Sequence, residues 1–143
     1  MTVYYYFASR YSRHPEMREH RAELLAAIPS AVVTSRWIDC HNDTLEQSYT
    51  PEALNADPDG CWPHGRDDLN DLLSADVLVS FTGPGGKGGR HIEHGFAMGR
   101  RFTYGTPRIV VIGDRENIFH CDPDTEWFPD WQSFLAAEVN RNA

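Results

Sequence analysis

The sequence predicts a single α/β domain, a doubly wound and mostly parallel sheet of four or five strands with helices on both faces. Three observations lead there. Short apolar runs (residues 3–7, VYYYF; 76–81, DVLVSF; 108–113, RIVVIG) alternate with segments whose apolar residues recur at helical spacing. Strands separated by helices of this kind run parallel, because a parallel pair needs a crossover connection. A glycine loop joins one of these strands to the next helix, as at the carboxyl edge of open α/β sheets.

Taken in order, residues 3–7 are aromatic and β-branched without a breaker and read as the first strand. A polar loop over residues 8–14 follows, and Pro15 suits the first position of a helix. That helix carries Met17, His20 or Arg21, Leu24, Leu25 and Ile28 on one face and stops before Pro29. Residues 31–38 (AVVTSRWI) read as the second strand. Residues 39–65 form a long polar insert, in which Thr50-Pro51-Glu52 marks the start of a short helix over 51–55. A connection this long is functional or mobile in most compact domains, as a cover over a site or a contact to another subunit. Residues 66–75 read as a helix with Leu69, Leu72 and Leu73 inward, leading into the strand at 76–81. After the central unit come a buried strand at 108–113, a short edge strand at 117–121 and a closing helix at 131–139.

Composition narrows the function classes. A hydrophobic content of 41% with 12% aromatic residues describes a folded globular chain. Thirteen basic residues against twenty-one acidic ones, a net charge of −8, argue against binding a nucleic-acid polymer or a membrane surface. No apolar run approaches a membrane span, and the N-terminus has no signal-peptide pattern. Cys40, Cys61 and Cys121, odd in number and widely spaced, suit reduced thiols in the cytoplasm. Cys40, His41, Cys61 and His64 lie in one segment, but their spacing matches no standard zinc pattern, so no metal is expected. No cofactor is expected either.

The chemistry concentrates at residues 76–101. The apolar run to Phe81 is followed by seven residues, 83–89 (GPGGKGG), of which five are glycine. From Arg90 the pattern turns helical, with Ile92, Phe96 and Gly99 on one face. Glu93 falls in the first turn of that helix, beside the loop, where the helix N-terminus favours its ionised form and partial burial opposes it. The loop is neither the dinucleotide fingerprint G-x-G-x-x-G nor a P-loop, which needs Gly-Lys-Ser/Thr. A carboxylate there would repel a phosphate, and it favours instead a nucleophile at a sugar carbon.

Three stretches together resemble the nucleoside 2-deoxyribosyltransferase superfamily, which includes deoxynucleoside 5′-monophosphate N-glycosidases. They are residues 5–9 (YYFAS), residues 68–76 (DLNDLLSAD) and residues 88–97 (GGRHIEHGFA). The third carries the family's glycine loop and Glu-x-Gly-x-Ala, and the likeness spans about residues 3–113 without the insert. The resemblance implies that Glu93 is a nucleophile forming a glycosyl ester at C1′, and that Asp68 contacts base or sugar and handles the leaving proton. It also implies that Tyr6, or Tyr5 if the alignment slips by one, hydrogen-bonds the nucleophile. Ser9, Arg10, Gly86, Lys87, Gly88, Gly89 and Arg90 are then the substrate-binding candidates.

The loop departs from the family in its glycine content and its lysine. Arg10, Arg13, Lys87 and Arg90 are four cations expected around the mouth of the site, and they suggest a 5′-phosphate on the substrate. The expected ligand is a small-molecule nucleoside or nucleotide, and the expected assembly a homodimer or higher homo-oligomer, with Trp62, Trp127 and Trp131 as interface candidates.

Each assignment has a plainer counterpart. Glu93 could balance a helix dipole, Asp68 could cap its helix, and Arg10 and Arg13 could be solvated. Asp76 reads as a turn or capping residue. His91 and His94 point to either side of Glu93, one toward the core and one toward solvent. A non-catalytic nucleotide sensor on the same fold is the alternative function, while an oxidoreductase lacks its fingerprint.

Overall fold

The computed structural model describes residues 1–40, 42 and 45–143. Among the described residues, five parallel strands form one sheet in the order β2-β1-β3-β4-β5: β1 (Tyr4–Ala8), β2 (Val32–Val33), β3 (Val77–Phe81), β4 (Arg108–Ile112) and β5 (Glu126–Phe128). The α-helices of the same residues are α1 (His14–Ala27), α2 (Leu45–Ser48), α3 (Pro51–Ala56), α4 (Pro58–Leu73), α5 (Gly89–Tyr104) and α6 (Trp131–Arg141). The expected doubly wound α/β architecture is present.

Strand alternation divides the core into two layers. Tyr5, Phe7, Val79, Phe81 and Val110 face α1 and α6, where they pack with Met17, Leu24, Trp131 and Phe134. Tyr6, Ala8, Leu78 and Ile109 face α4 and α5, meeting Leu72, Ala75 and Ala97. From β1 the chain crosses to β2 on one side, and from β3 it crosses to β4 on the other. The reversal opens a crevice between the carboxyl ends of β1 and β3, the usual ligand position in open α/β sheets.

Several elements differ from expectation. β2 has two residues where 31–38 was expected, because side chains take over its ladder. Ser35 Oγ accepts from Phe7 N (2.6 Å), Trp37 Nε1 donates to Phe7 O (2.8 Å), and Arg36–Asp39 turns into a 3-10 helix. The edge strand is β5, while Ile118–Cys121 is a 3-10 turn capped by Asn117, whose side chain accepts from Phe119 N. α4 starts at Pro58, eight residues early, with Asp57 accepting from Gly60 N as its cap. On its inner face Leu72 is buried as expected. Leu73 is exposed, and Asp71 is buried instead because it receives Arg36 at Nε (2.9 Å) and N (3.0 Å). Trp131 is a core residue stacked on His20, so of the three interface candidates Trp62 and Trp127 stand exposed.

α5 is rotated from the expected phase. Its buried residues are Arg90, His94 and Ala97, whereas Ile92 is 68% exposed. Arg90 turns inward to clamp the glycine loop, donating to Gly83 O (2.8 Å) and to both oxygens of Glu116. No helix among the described residues is long and apolar enough to cross a membrane.

Candidate active site

The crevice between β1 and β3 widens into a cleft of about 650 Å³, a size suited to a small-molecule ligand. Its walls come from Ser9 and Arg10 after β1, the glycine loop after β3, residues 36–40, residues 45–49, and α4. Glu93 lines it from α5, and Asp68 faces it from α4. Tyr6 lies beneath, fully buried on β1; its hydroxyl is close enough to the Glu93 carboxyl for the two to shift each other's pKa, but it does not make the expected hydrogen bond. Three residues distant in sequence therefore meet where β1, α4 and α5 converge.

Burial sets the electrostatics of the group. It pushes the Glu93 carboxyl from 4.5 up to about 8, with repulsion from Asp68 adding to the shift and the Tyr6 hydroxyl opposing it. Asp68 is raised from 3.8 to about 7 by burial and by Asp71 and Asp67, with Arg36 opposing. Burial, then the two carboxyls, lifts the Tyr6 phenol well above its ordinary value. The expected pull of the helix dipole on Glu93 does not prevail. α5 begins at Gly89, which puts Glu93 in the second turn rather than the first, and the dipole fades beyond the first turn. Near neutral pH the Glu93–Asp68 pair therefore keeps a proton.

Buried polar atoms without hydrogen-bond partners gather at this cleft. Among the described residues nine such side-chain atoms occur, and five belong to the site: Tyr6 Oη, Arg10 Nε, Glu46 Oε2, Tyr49 Oη and Glu93 Oε2. Desolvating polar groups without partners is costly, so their concentration at one concavity marks a place built for a polar ligand.

The remaining candidates divide. Ser9, Arg10, Gly86, Lys87, Gly88 and Gly89 line the cleft, and so does Arg90, although its guanidinium is held by Glu116 and Gly83. Tyr5 points to the opposite face of the sheet, where its hydroxyl donates to buried Glu138 (2.7 Å). Strand alternation thus assigns the site position to Tyr6 and removes Tyr5. Arg13 is engaged elsewhere, donating to Glu16 and Thr82 O. Asp76 accepts from Tyr4 N at the opposite end of the sheet. His94 is buried and His91 exposed, as their flanking positions suggested.

The long insert was expected to cover a site or meet another subunit, and its Glu46, Tyr49 and His64 border the cleft, as does Trp37 just before it; the sequence assigned none of these four residues to the site. Lys87 Nζ donates to Tyr49 O (2.6 Å), and Arg10 Nε lies 3.9 Å from Glu46 Oε2. The Thr50 cap was the one local signal in this region, and it located α3 rather than the cleft wall. Of the conceivable metal quartet, His41 lies outside the described residues. Among the described residues no three His, Cys, Asp or Glu side chains converge as ligands. No protein-family model and no curated protein sequence matches this chain.

Proposed function

We propose that this protein cleaves the N-glycosidic bond of a (deoxy)ribonucleoside or its 5′-monophosphate, in the manner of the nucleoside 2-deoxyribosyltransferase superfamily. The observation that carries this reading is the buried Glu93–Asp68 pair, retaining a proton beside the Tyr6 hydroxyl at the head of a small-molecule cleft. One carboxylate and one carboxylic acid are what the reaction uses. Ionised Glu93 attacks C1′ and forms a glycosyl ester as the C1′–N bond breaks. The bond electrons leave with the base, which takes its proton from Asp68. Water or a second base then attacks C1′ from the opposite side and releases the Glu93 carboxylate, with Asp68 accepting the proton. The pair's proton rests on the group with the higher pKa, Glu93 at about 8 against Asp68 at about 7. Attack therefore requires its transfer to Asp68, a transfer that the Tyr6 hydroxyl favours by lowering the Glu93 pKa.

Arg10 and Lys87, with the loop backbone and the first amides of α5, are the groups for a 5′-phosphate. A non-catalytic nucleotide sensor gains nothing from two protonatable carboxyls buried in its pocket, and this favours the enzyme. The proposal includes a cytoplasmic setting, where the free cysteines stay reduced, and assembly as a homodimer or higher homo-oligomer. Exposed Ile92, Phe102 and Tyr104 on α5 offer apolar surface for assembly.

The test is incubation with a panel of nucleosides and 5′-monophosphates, with and without an acceptor base, assayed for free base. Base release abolished by Glu93→Gln supports the reading. Release from no member of the panel, or release unchanged by Glu93→Gln, refutes it.

A further inference from the structure

The segment 45–49 closes over the glycine loop through two contacts of different kinds. One is neutral at the strap, with Lys87 Nζ donating to Tyr49 O. The other places a carboxylate where an anionic ligand belongs. Glu46 sits 3.9 Å from Arg10, and its side chain is mostly covered, at 15% exposed. Its Oε1 lies 3.8 Å from where a side chain on Gly86 would begin. Arg10 lies flat on the same loop: a Cβ on Gly85 would fall 2.7 Å from its Cζ, at a backbone φ of +88° that disfavours any side chain. The two facing atoms, Arg10 Nε and Glu46 Oε2, are both buried and both without a hydrogen bond. An ion pair at nearly 4 Å whose facing atoms each lack a partner is loosely held, and it surrenders its guanidinium readily to a bidentate anion.

We propose that Glu46 is a built-in counter-anion, which occupies the phosphate position on Arg10 and the glycine loop and is displaced by an incoming phosphate. The proposal rests on the proposed function for the identity of that anion, a nucleotide 5′-phosphate, while the displacement itself needs only a phosphate. Glu46 thereby sets specificity. A ligand bearing a phosphate exchanges one anion for another at Arg10 and releases residues 45–49, whereas an uncharged nucleoside leaves the strap closed over the loop. Affinity for phosphate is accordingly weakened by the carboxylate it must expel.

Inorganic phosphate is the direct probe, because its binding can be measured by calorimetry without any turnover. Glu46→Gln keeps the side chain's size and removes its charge, and it is expected to tighten phosphate binding by about tenfold. Arg10→Ala is expected to abolish binding, whether introduced into the wild type or combined with Glu46→Gln. In the wild type, phosphate should raise amide exchange over residues 45–49. With substrates, Glu46→Gln should lower KM for a 5′-monophosphate more than for its nucleoside. Phosphate binding that is unchanged or weakened in Glu46→Gln, or undetectable in both proteins, overturns the inference. If the variant binds phosphate more tightly while no nucleotide is cleaved, the proposed function fails and the displacement stands.

Discussion

Replacing Glu93 by Gln should raise the stability of the protein while removing its activity. The native fold holds this carboxyl from 4.5 up to about 8, so between those values the folded chain binds more protons than the unfolded one. Stability contributed by the group is therefore present at low pH and lost as pH rises toward 8. Each tenfold in the proton equilibrium is worth about 1.4 kcal/mol, which gives roughly 4–5 kcal/mol for ionising the group alone. The Asp68 charge is among the causes that raise Glu93, so part of that cost belongs to the pair, and about 2 kcal/mol is the expected share. Gln carries no charge at any pH. At pH 9 the variant should melt about 4–8 °C above the wild type, and at pH 5, where the native carboxyl is protonated, the two should nearly coincide. Turnover should fall by a factor on the order of 10³ or more, as for loss of a covalent nucleophile. Thermal unfolding at the two pH values and an assay for released base check both halves. A variant destabilised equally at pH 5 and pH 9 would refute the reasoning about burial.

The pH–rate profile should be bell-shaped with limbs near the paired values of about 7 and 8, and Asp68→Asn should lower turnover and remove the alkaline limb. Tyr6→Phe removes the hydroxyl that pulls the Glu93 pKa down, so the acid limb should move to higher pH with the fold retained; an unmoved limb would count against that contact. His94 is buried with both ring nitrogens unpartnered, and burial, His120 and His91 hold its pKa at about 4 against an ordinary 6.5. The unfolded chain then takes up the proton first. Stability should fall on acidification from about pH 6.5 to 4 by up to ~3 kcal/mol, a loss that denaturant titrations should find reduced in His94→Gln. Gly85→Ala forces a Cβ against the Arg10 guanidinium and should raise KM for monophosphates more than for nucleosides; equal effects would remove Arg10 from the phosphate site.

The fold class was legible because three strands are continuous apolar runs and the glycine loop has only one reasonable setting, between a strand and a helix. Tyr6, Asp68 and Glu93 were legible as residue types at motif spacing, although choosing Tyr6 over Tyr5 required the phase of β1. Three features were hidden for identifiable reasons. The second strand ends early because Ser35 and Trp37 side chains satisfy Phe7, a tertiary substitution invisible to periodicity. The phase of α5 is governed by Arg90 reaching Glu116, so a polar residue displaced Ile92 from the buried face. The strap bearing Glu46 and Tyr49 has no apolar period of its own. Its position depends on Lys87 and Arg10, far away in sequence on either side.

The most direct test of Glu93 as the nucleophile is to quench a turning-over reaction in acid and weigh the peptides. The proposed mechanism predicts a (deoxy)ribosyl group, with its phosphate if a monophosphate was supplied, esterified to the peptide containing Glu93 and absent from Glu93→Gln. Base release with every wild-type peptide unmodified and the Gln variant still active, or an adduct on a different residue, would contradict it.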